Sequence, residues 1–345
     1  MSPFKSSLAR SAAKLLGLAN QADLSLRGKV QASRVPPIPP LTASGGTKIT
    51  SGSDVFHVFL GASEQDFNVT AGGECEVLVI AGGGSGGYFY GCGGGAGGII
   101  HAPGFPVEIG TYKVSAGDGA AAPPSGGAAS GQNGSPSYLK PAPSPVAPSA
   151  TNLYAMGGGG GGYNGDPETW MNPFLPTVGS TGGQVSPADT SYRTPGFPGS
   201  TQHPTALKYS NMGSADAPAT RGGGGGGGGA AAGINQDGGI TVPASPGGAG
   251  RAFPSFPAPV LAPAIPGPAQ PTWTPTVGPT GLFGGGGAGY AYPSNTGRAP
   301  GGGGEWSGPE AGTNNGVEYT GSGGAGPNPG PGTGGKGIVI IHYTN

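Results

Sequence analysis

Eight consecutive glycines, Gly222 to Gly229, limit what this chain can become more than any other feature. A segment without Cβ atoms has no side chains to bury, so it cannot join a hydrophobic core. It is either left unordered or packed backbone against backbone. The run is one of several: Gly157–Gly162, Gly284–Gly287 and Gly301–Gly304 follow the same pattern, with shorter runs at Gly82–Gly84 and Gly93–Gly95. Glycine and proline together, 79 and 39 of 345 residues, make up a third of the chain, a composition usually associated with disorder. No Gly-X-Y register runs through it, which excludes collagen.

Charge and aromatic content argue for order. Disordered chains carry high net charge and few aromatics. Here the formal net charge is −1, charged residues are 9% of the total, and 12 Tyr, 11 Phe and 3 Trp accompany the glycine runs. Ordering glycine costs more backbone entropy than ordering any other residue. Extended three-fold helices of the polyproline II type can offset that cost only as neighbours, because one alone has no internal hydrogen bonds. A bundle of such rods, with Cα–H···O contacts in support, is the ordered form the runs predict.

Residues 1–34 differ from the rest. Lys5, Arg10, Lys14, Arg27, Lys29 and Arg34 are basic and Asp23 is the one acid. Phe4, Leu8, Leu15 and Leu16 recur near helical spacing, which predicts a short basic amphipathic helix. A solvated helix, a transit peptide and a docking peptide all fit that pattern. As a docking anchor, its contacts fall on Phe4, Leu8, Arg10, Lys14, Leu15, Leu16 and Arg27. A Pro-rich stiff linker occupies 35–50.

Residues 51–116 read as β-structure, with strands at Asp54–Leu60, Gln65–Thr70, Glu76–Ala81, Gly98–Ala102, Pro106–Ile109 and Thr111–Ser115. Glu76–Ala81 is apolar after its first residue, the pattern of a strand buried on both faces. A second apolar strand, Gly337 to Tyr343, closes the chain. Left unpaired it would be an aggregation hazard, so its expected partner is the 54–116 sheet. The fold class expected is mainly β: a small antiparallel β-framework from 51–116 and 336–345, closed by the C-terminal strand. Residues 117–335 are inserted as a glycine-rich body of packed polyglycine-II helices and long Pro- and aromatic-rich loops. Cys75 and Cys92 read as free small core residues rather than a bridge.

Chemistry is not legible. Gly-x-Gly-x-x-Gly matches abound by chance, but no helix can follow the glycines after Val77–Gly87, as a dinucleotide site requires. The histidines His57, His101, His203 and His342 lack metal-ligand spacing, and three of them fall on expected strands. Asp166 and Glu168 are adjacent loop acids rather than carboxylates opposed across a cleft. We therefore expect no enzyme activity, cofactor or metal. No run of 18 apolar residues suggests membrane insertion, and the body has no basic patch for nucleic acid. Trp170, Phe174, Tyr192, Phe197, Trp273 and Trp306 are candidate recognition residues, with packing against the glycine rods as the competing role.

Four segments carry a resemblance, in order: Cys75 to Gly84 (CEVLVIAGGG), Gly93 to Gly98 (GGGAGG), Tyr112 to Gly119 (YKVSAGDG) and Gly337 to Tyr343 (GIVIIHY). Together they resemble the glycine-rich domain of bacteriophage fibre and adhesin proteins, over about residues 52–343. His342 stands where that family often has Arg. The resemblance implies a virion location, docking to other virion proteins through residues 1–40, and attachment to a host cell-surface glycan or protein. The alternative is a capsid fibre or decoration protein without a receptor role. A homotrimer and a single chain remain equally open. The longer insertions at 138–220 and 251–283 depart from the family, and no binding residue carries over.

Overall fold

The structure, a computed structural model, describes residues 40–88, 91–124, 129–144, 151–163, 179–180, 182–183, 206–211, 213, 226–233, 246–290, 299–305, 314–326 and 330–345. The chain divides into two units, Met1–Pro39 and Pro40–Asn345. The anchor residues Phe4, Leu8, Arg10, Lys14, Leu15, Leu16 and Arg27, with the expected N-terminal helix, lie outside the described residues.

Two antiparallel sheets form the β part. One runs in the order β1 (Thr42–Ser44), β4 (Gln65–Ala71), β7 (Gly110–Ser115), β8 (Ser137–Pro141), β9 (Leu153–Ala155). The other runs β10 (Leu207–Tyr209), β6 (Ile99–Val107), β5 (Gly73–Ile80), β13 (Ile338–Thr344), β3 (Asp54–Phe59), β2 (Thr47–Ser51). A two-stranded ribbon, β11 (Arg251–Ala252) with β12 (Leu282–Phe283), pairs with neither.

The C-terminal strand sits where its sequence requires. β13 lies between β3 and β5, with Ile340 opposite Val58 on one side and Leu78 on the other. Alternate residues of the six-stranded sheet point into two different cores. Val77, Val79, Ile100, Val339 and Ile341 face the five-stranded sheet, where they meet Phe67, Val114, Leu139 and Leu153. Leu78, Ile80, Ile99, Ile338 and Ile340 face the opposite way, onto Phe253, Phe256, Leu261, Ile265, Trp273 and Val277. Burial on both faces is the physical reason β5 and β13 read as continuous apolar runs instead of alternating ones.

Four expectations change. Thr42–Ser44, inside the expected linker, and Thr47–Ser51, which runs from it into the expected β-framework, are strands. Gly98–Ala102 and Pro106–Ile109 are one strand, β6, whose ladder shifts register between Cys75 and Val77. Gly104, at φ +64°, lies between Pro103 and Pro106, and a bulged ladder keeps those prolines within the strand. The five-stranded sheet takes β8 and β9 from within the expected glycine-rich body. Finally, the Pro-rich stretch after Ala252 forms a cap with helices α1 (Ala258–Leu261) and α2 (Gln270–Val277), joined by a 3₁₀ turn at Ala262–Ala264. Pro259 and Pro271 stand in the first turn of these helices, where a missing N–H costs nothing. Gly278, at φ +58°, ends α2.

Candidate functional site

Beyond the ends of β5 and β6 the chain leaves the sheets as glycine segments, and their hydrogen bonds repeat every third residue. Ala81, Gly84 and Gly87 donate their N–H groups to the carbonyls of Gly98, Gly95 and Cys92. Gly82, Ser85 and Tyr88 donate to Ser135, Gln132 and Ala129, and Gly83 and Gly86 to Gly335 and Gly332. One segment is thus tied to three neighbours in rotation, at N···O distances of 2.8–3.0 Å. The return segment behaves the same way: Cys92, Gly95 and Gly98 donate to Gly162, Gly159 and Met156, while Gly94 and Gly97 donate to Gly324 and Gly321. Buried N–H and C=O groups are thereby paired without a regular sheet.

Contact in this mesh is backbone on backbone. A Cβ on Gly94 would overlap the carbonyl of Gly84, and one on Gly226 the carbonyl of Gly94. Of the eight-glycine run, residues 226–229 are described, and they are buried in the mesh. Gly226 donates to Gly287, Gly248 donates to Gly226, and Gly229 donates to Gly284 beside β12.

The registers also define an end of the mesh remote from the sheets. Residues 81–88 run outward from β5 and residues 91–98 return to β6, so Tyr88 and Gly91 are farthest out along these two segments. Tyr290 donates to Gly91, Cys92 donates to Gly162 next to Tyr163, and Gly183 donates to Gly93. Gly326 joins them through Ala288, which in turn donates to Gly304 next to Glu305. Tyr88, Tyr163, Gly183, Tyr290 and Gly326 therefore gather toward one end.

Of the candidate recognition residues, Trp170, Phe174, Tyr192, Phe197 and Trp306 lie outside the described residues. In chain order Trp170 and Phe174 follow Tyr163, Tyr192 and Phe197 follow Gly183, and Trp306 follows Glu305 directly. Trp273 is corrected. It is completely buried in α2, its ring tilted against Phe283 at 6.3 Å between centroids, and its indole N–H donates to the Tyr319 carbonyl at 3.1 Å. It holds the cap to the sheet and presents no surface to a partner.

Sheet histidines are satisfied as expected. His57 is buried, with Nδ1 2.7 Å from the Gly45 carbonyl and Nε2 3.2 Å from the Tyr343 hydroxyl. Both contacts suit a neutral ring that donates at Nδ1 and accepts at Nε2. Burial lowers its pKa, the Gly45 bond opposes that, and the Lys48 charge adds to the lowering. Neither Cys75 nor Cys92 forms a disulfide, both are buried, and burial pushes the Cys75 thiol up to about 12, far from a reactive thiolate. Among the described residues no group of three or more His, Cys, Asp or Glu could hold a metal ion, and no helix is long and apolar enough to cross a membrane.

The sequence offered signals for the mesh, in its glycine runs, but none for its register. A step of three between partners is invisible until the partners are known. Comparison with curated proteins finds no match. A glycine-rich domain model matches residues 61–344, which take in β4 to β13, the cap and the mesh, and the chain belongs to that glycine-rich domain family.

Proposed function

We propose that this protein is a non-enzymatic structural appendage of a bacteriophage particle, a tail fibre or spike whose mesh holds recognition loops away from its base. The observation that carries the reading is the three-residue step of the backbone bonds. A polyglycine-II helix has three residues per turn and no internal hydrogen bonds, so its N–H groups must point to neighbours in three directions. We read residues 81–88 as one such rod, about 22 Å long at about 3.1 Å per residue. Rods of this kind suit display: each is braced on several sides, and its end is fixed by bonds along its length.

Trp170, Phe174, Tyr192 and Phe197 belong to segments that follow the outer residues Tyr163 and Gly183. Exposed aromatics anchor protein contacts and stack on sugars, which suits a host cell-surface glycan or protein. Residues 1–40 would dock the body to other virion proteins. The rod bonds named above close within one chain, so we favour a body that folds without a partner.

The test uses particles and the isolated body. Deleting residues 1–40 is expected to release the protein from virions, while residues 40–345, added in excess, block adsorption. The double variant Trp170→Ala/Phe174→Ala should lose that competition with its melting temperature unchanged. Incorporation without residues 1–40 would defeat the anchor. Unimpaired competition by this double variant and by the matching Tyr192→Ala/Phe197→Ala variant would remove these residues from recognition. A wild-type body that competes for nothing would favour a decoration role.

A further inference from the structure

Under the cap the six-stranded sheet presents Leu78, Ile80, Ile99, Ile338 and Ile340, and at one corner of the same face a polar cluster. There His342 on β13 has both ring nitrogens against carboxylates: Nε2 is 3.0 Å from Asp54 Oδ1 on β3, and Nδ1 is 3.3 Å from Glu76 Oε2 on β5. The other oxygen of Glu76, Oε1, lies 2.7 Å from His101 Nε2 on β6. A neutral imidazole can donate from one nitrogen only. Satisfying both carboxylates at once needs the doubly protonated ring.

The cluster also touches the cap. Phe56 stacks flat on the His342 ring at 4.5 Å. Phe256 meets His342 edge to face at 6.2 Å and His101 at 6.3 Å, and Phe253 meets His101 at 5.3 Å. Ser255, between the two phenylalanines, is near enough to Glu76 to help lower its pKa. The first residues of the cap therefore touch this polar cluster as well as the apolar core that α1 and α2 also cover.

We propose that Asp54, Glu76, His101 and His342 form a proton-operated clasp that holds the Phe253–Phe256 end of the cap onto the sheet and releases it when His342 loses its proton. The surroundings make His342 the controlling group. Residues 252–280 contain no charged side chain, so the cap supplies no counter-charge. On β2, Ile49 stands opposite Phe56, and Lys48 stands opposite His57, which is not on the clasp face. On β10, Leu207 stands opposite His101, and the nearby Arg251 guanidinium lies 3.8 Å over the Tyr209 ring. Among the described residues, the ion-pair partners of Asp54 and Glu76 are the two histidines.

Protonation energetics agree with the geometry. The hydrogen bond to Glu76 raises the His342 pKa, burial opposes that, and Asp54 adds to the rise. Burial alone would raise the Glu76 pKa, but bonds from His101 and His342, helped by Ser255, outweigh it and bring it to about 2. A base with a raised folded-state pKa contributes its full stabilisation below its unfolded value, 6.5, and loses it as pH rises through the folded value. A carboxyl lowered to about 2 contributes above 4.5 and loses its contribution as pH falls toward 2. The clasp is fully closed between those limits, in mildly acid solution.

The test reads the His342 ring by NMR and cap protection by hydrogen exchange on the full chain, corrected for intrinsic exchange. The Phe253 and Phe256 amides are bonded to the Gly281 and Phe253 carbonyls and serve as probes, with β13 amides as the reference. Protection of the cap amides should fall by up to about tenfold per pH unit above 6.5, following the ring titration, while β13 amides stay unchanged. His342→Arg, which cannot lose its charge, should keep the cap protected throughout. Should that variant not fold, Asp54→Asn provides the same test, because losing one carboxylate should move ring titration and cap release together to lower pH. A ring that titrates at or below 6.5, cap and strand amides that open together, or a cap that opens identically in a folded His342→Arg variant would each overturn the clasp.

Discussion

The sheets and the glycine mesh are held together by different chemistry. In the sheets, side chains do the work: Phe59, Phe67, Leu78, Ile80, Leu139 and Trp273 are each less than 2% exposed. Burying a side chain of that size contributes about 1.5–3 kcal/mol. In the mesh there are almost no side chains to bury. A backbone hydrogen bond contributes about 0.5–1.5 kcal/mol net, against about 1–2 kcal/mol to fix each residue's backbone. Backbone bonds alone do not sustain the mesh, so it needs a foundation. The two apolar cores supply one, because the glycine segments enter and leave through β5, β6, β12 and β13, which those cores pin.

Glycine in the middle of the mesh should break this arrangement most sharply. In Gly94→Val, the new side chain would drive into the Gly84 carbonyl, which already accepts from Gly324. The N–H of Gly94 is bonded to Gly324 and its carbonyl to Gly287. Overpacking and two or more orphaned buried groups should together cost about 5 kcal/mol, read from urea unfolding. A change below about 1 kcal/mol would mean that the mesh yields locally and is not a tight fabric.

Trp273→Ala tests the foundation. It removes the largest fully buried side chain among the described residues and leaves the Tyr319 carbonyl without its indole donor. A loss of about 4 kcal/mol is expected. If the mesh depends on its base, amides of residues 284–288 should lose protection along with those of α2. Protection lost in the cap alone would show that the mesh stands independently.

What the sequence revealed divides along the same line. Asp54, Gln65 and Thr111 were placed at or within one residue of their strand starts, and the pairing of the C-terminal strand was expected, because apolar runs bounded by glycine and proline are a local signal. β1, β2, β8, β9, β10 and the cap are not among the expected elements. Ser137–Pro141 and the Pro-rich run from Pro254 look like loop until an apolar face lies beside them. Trp273 looked like a surface anchor for the same reason: α2 is short and contains Pro275, so nothing local marked it as a buried helix. The polar corner around His342 was legible only as strand histidines, since its partners come from three other strands.

Opposite faces of the six-stranded sheet should respond oppositely to pH. His57, held neutral, binds its proton more weakly folded than unfolded, so its contribution exists above 6.5 and is lost as pH falls through the lowered folded value. His342 contributes below 6.5 and loses that contribution as pH rises. Unfolding free energy should therefore peak near pH 6.5, with neither limb steeper than about 1.4 kcal/mol per pH unit. His57→Gln should flatten the acid limb and His342→Gln the alkaline one, measured by urea unfolding across pH. Flattening of the same limb by both variants would contradict the two-face arrangement.

The smallest effect separates two reasons for being glycine. Gly94 needs space: its φ is not left-handed, but a neighbouring carbonyl occupies the position of its Cβ. Gly52, in the turn between β2 and β3, needs conformation: its φ is +64° and nothing lies within 4 Å of a Cβ there. Gly52→Ala should therefore cost about 1 kcal/mol, the strain of a left-handed backbone without any clash. Gly52→Asn, whose side chain tolerates that region, should recover most of it despite being larger. At Gly94 the order should reverse, with alanine less damaging than asparagine because size alone decides. The four variants, ranked by thermal unfolding, distinguish a turn glycine from a mesh glycine, and the same order at both sites would mean that one mechanism governs both regions.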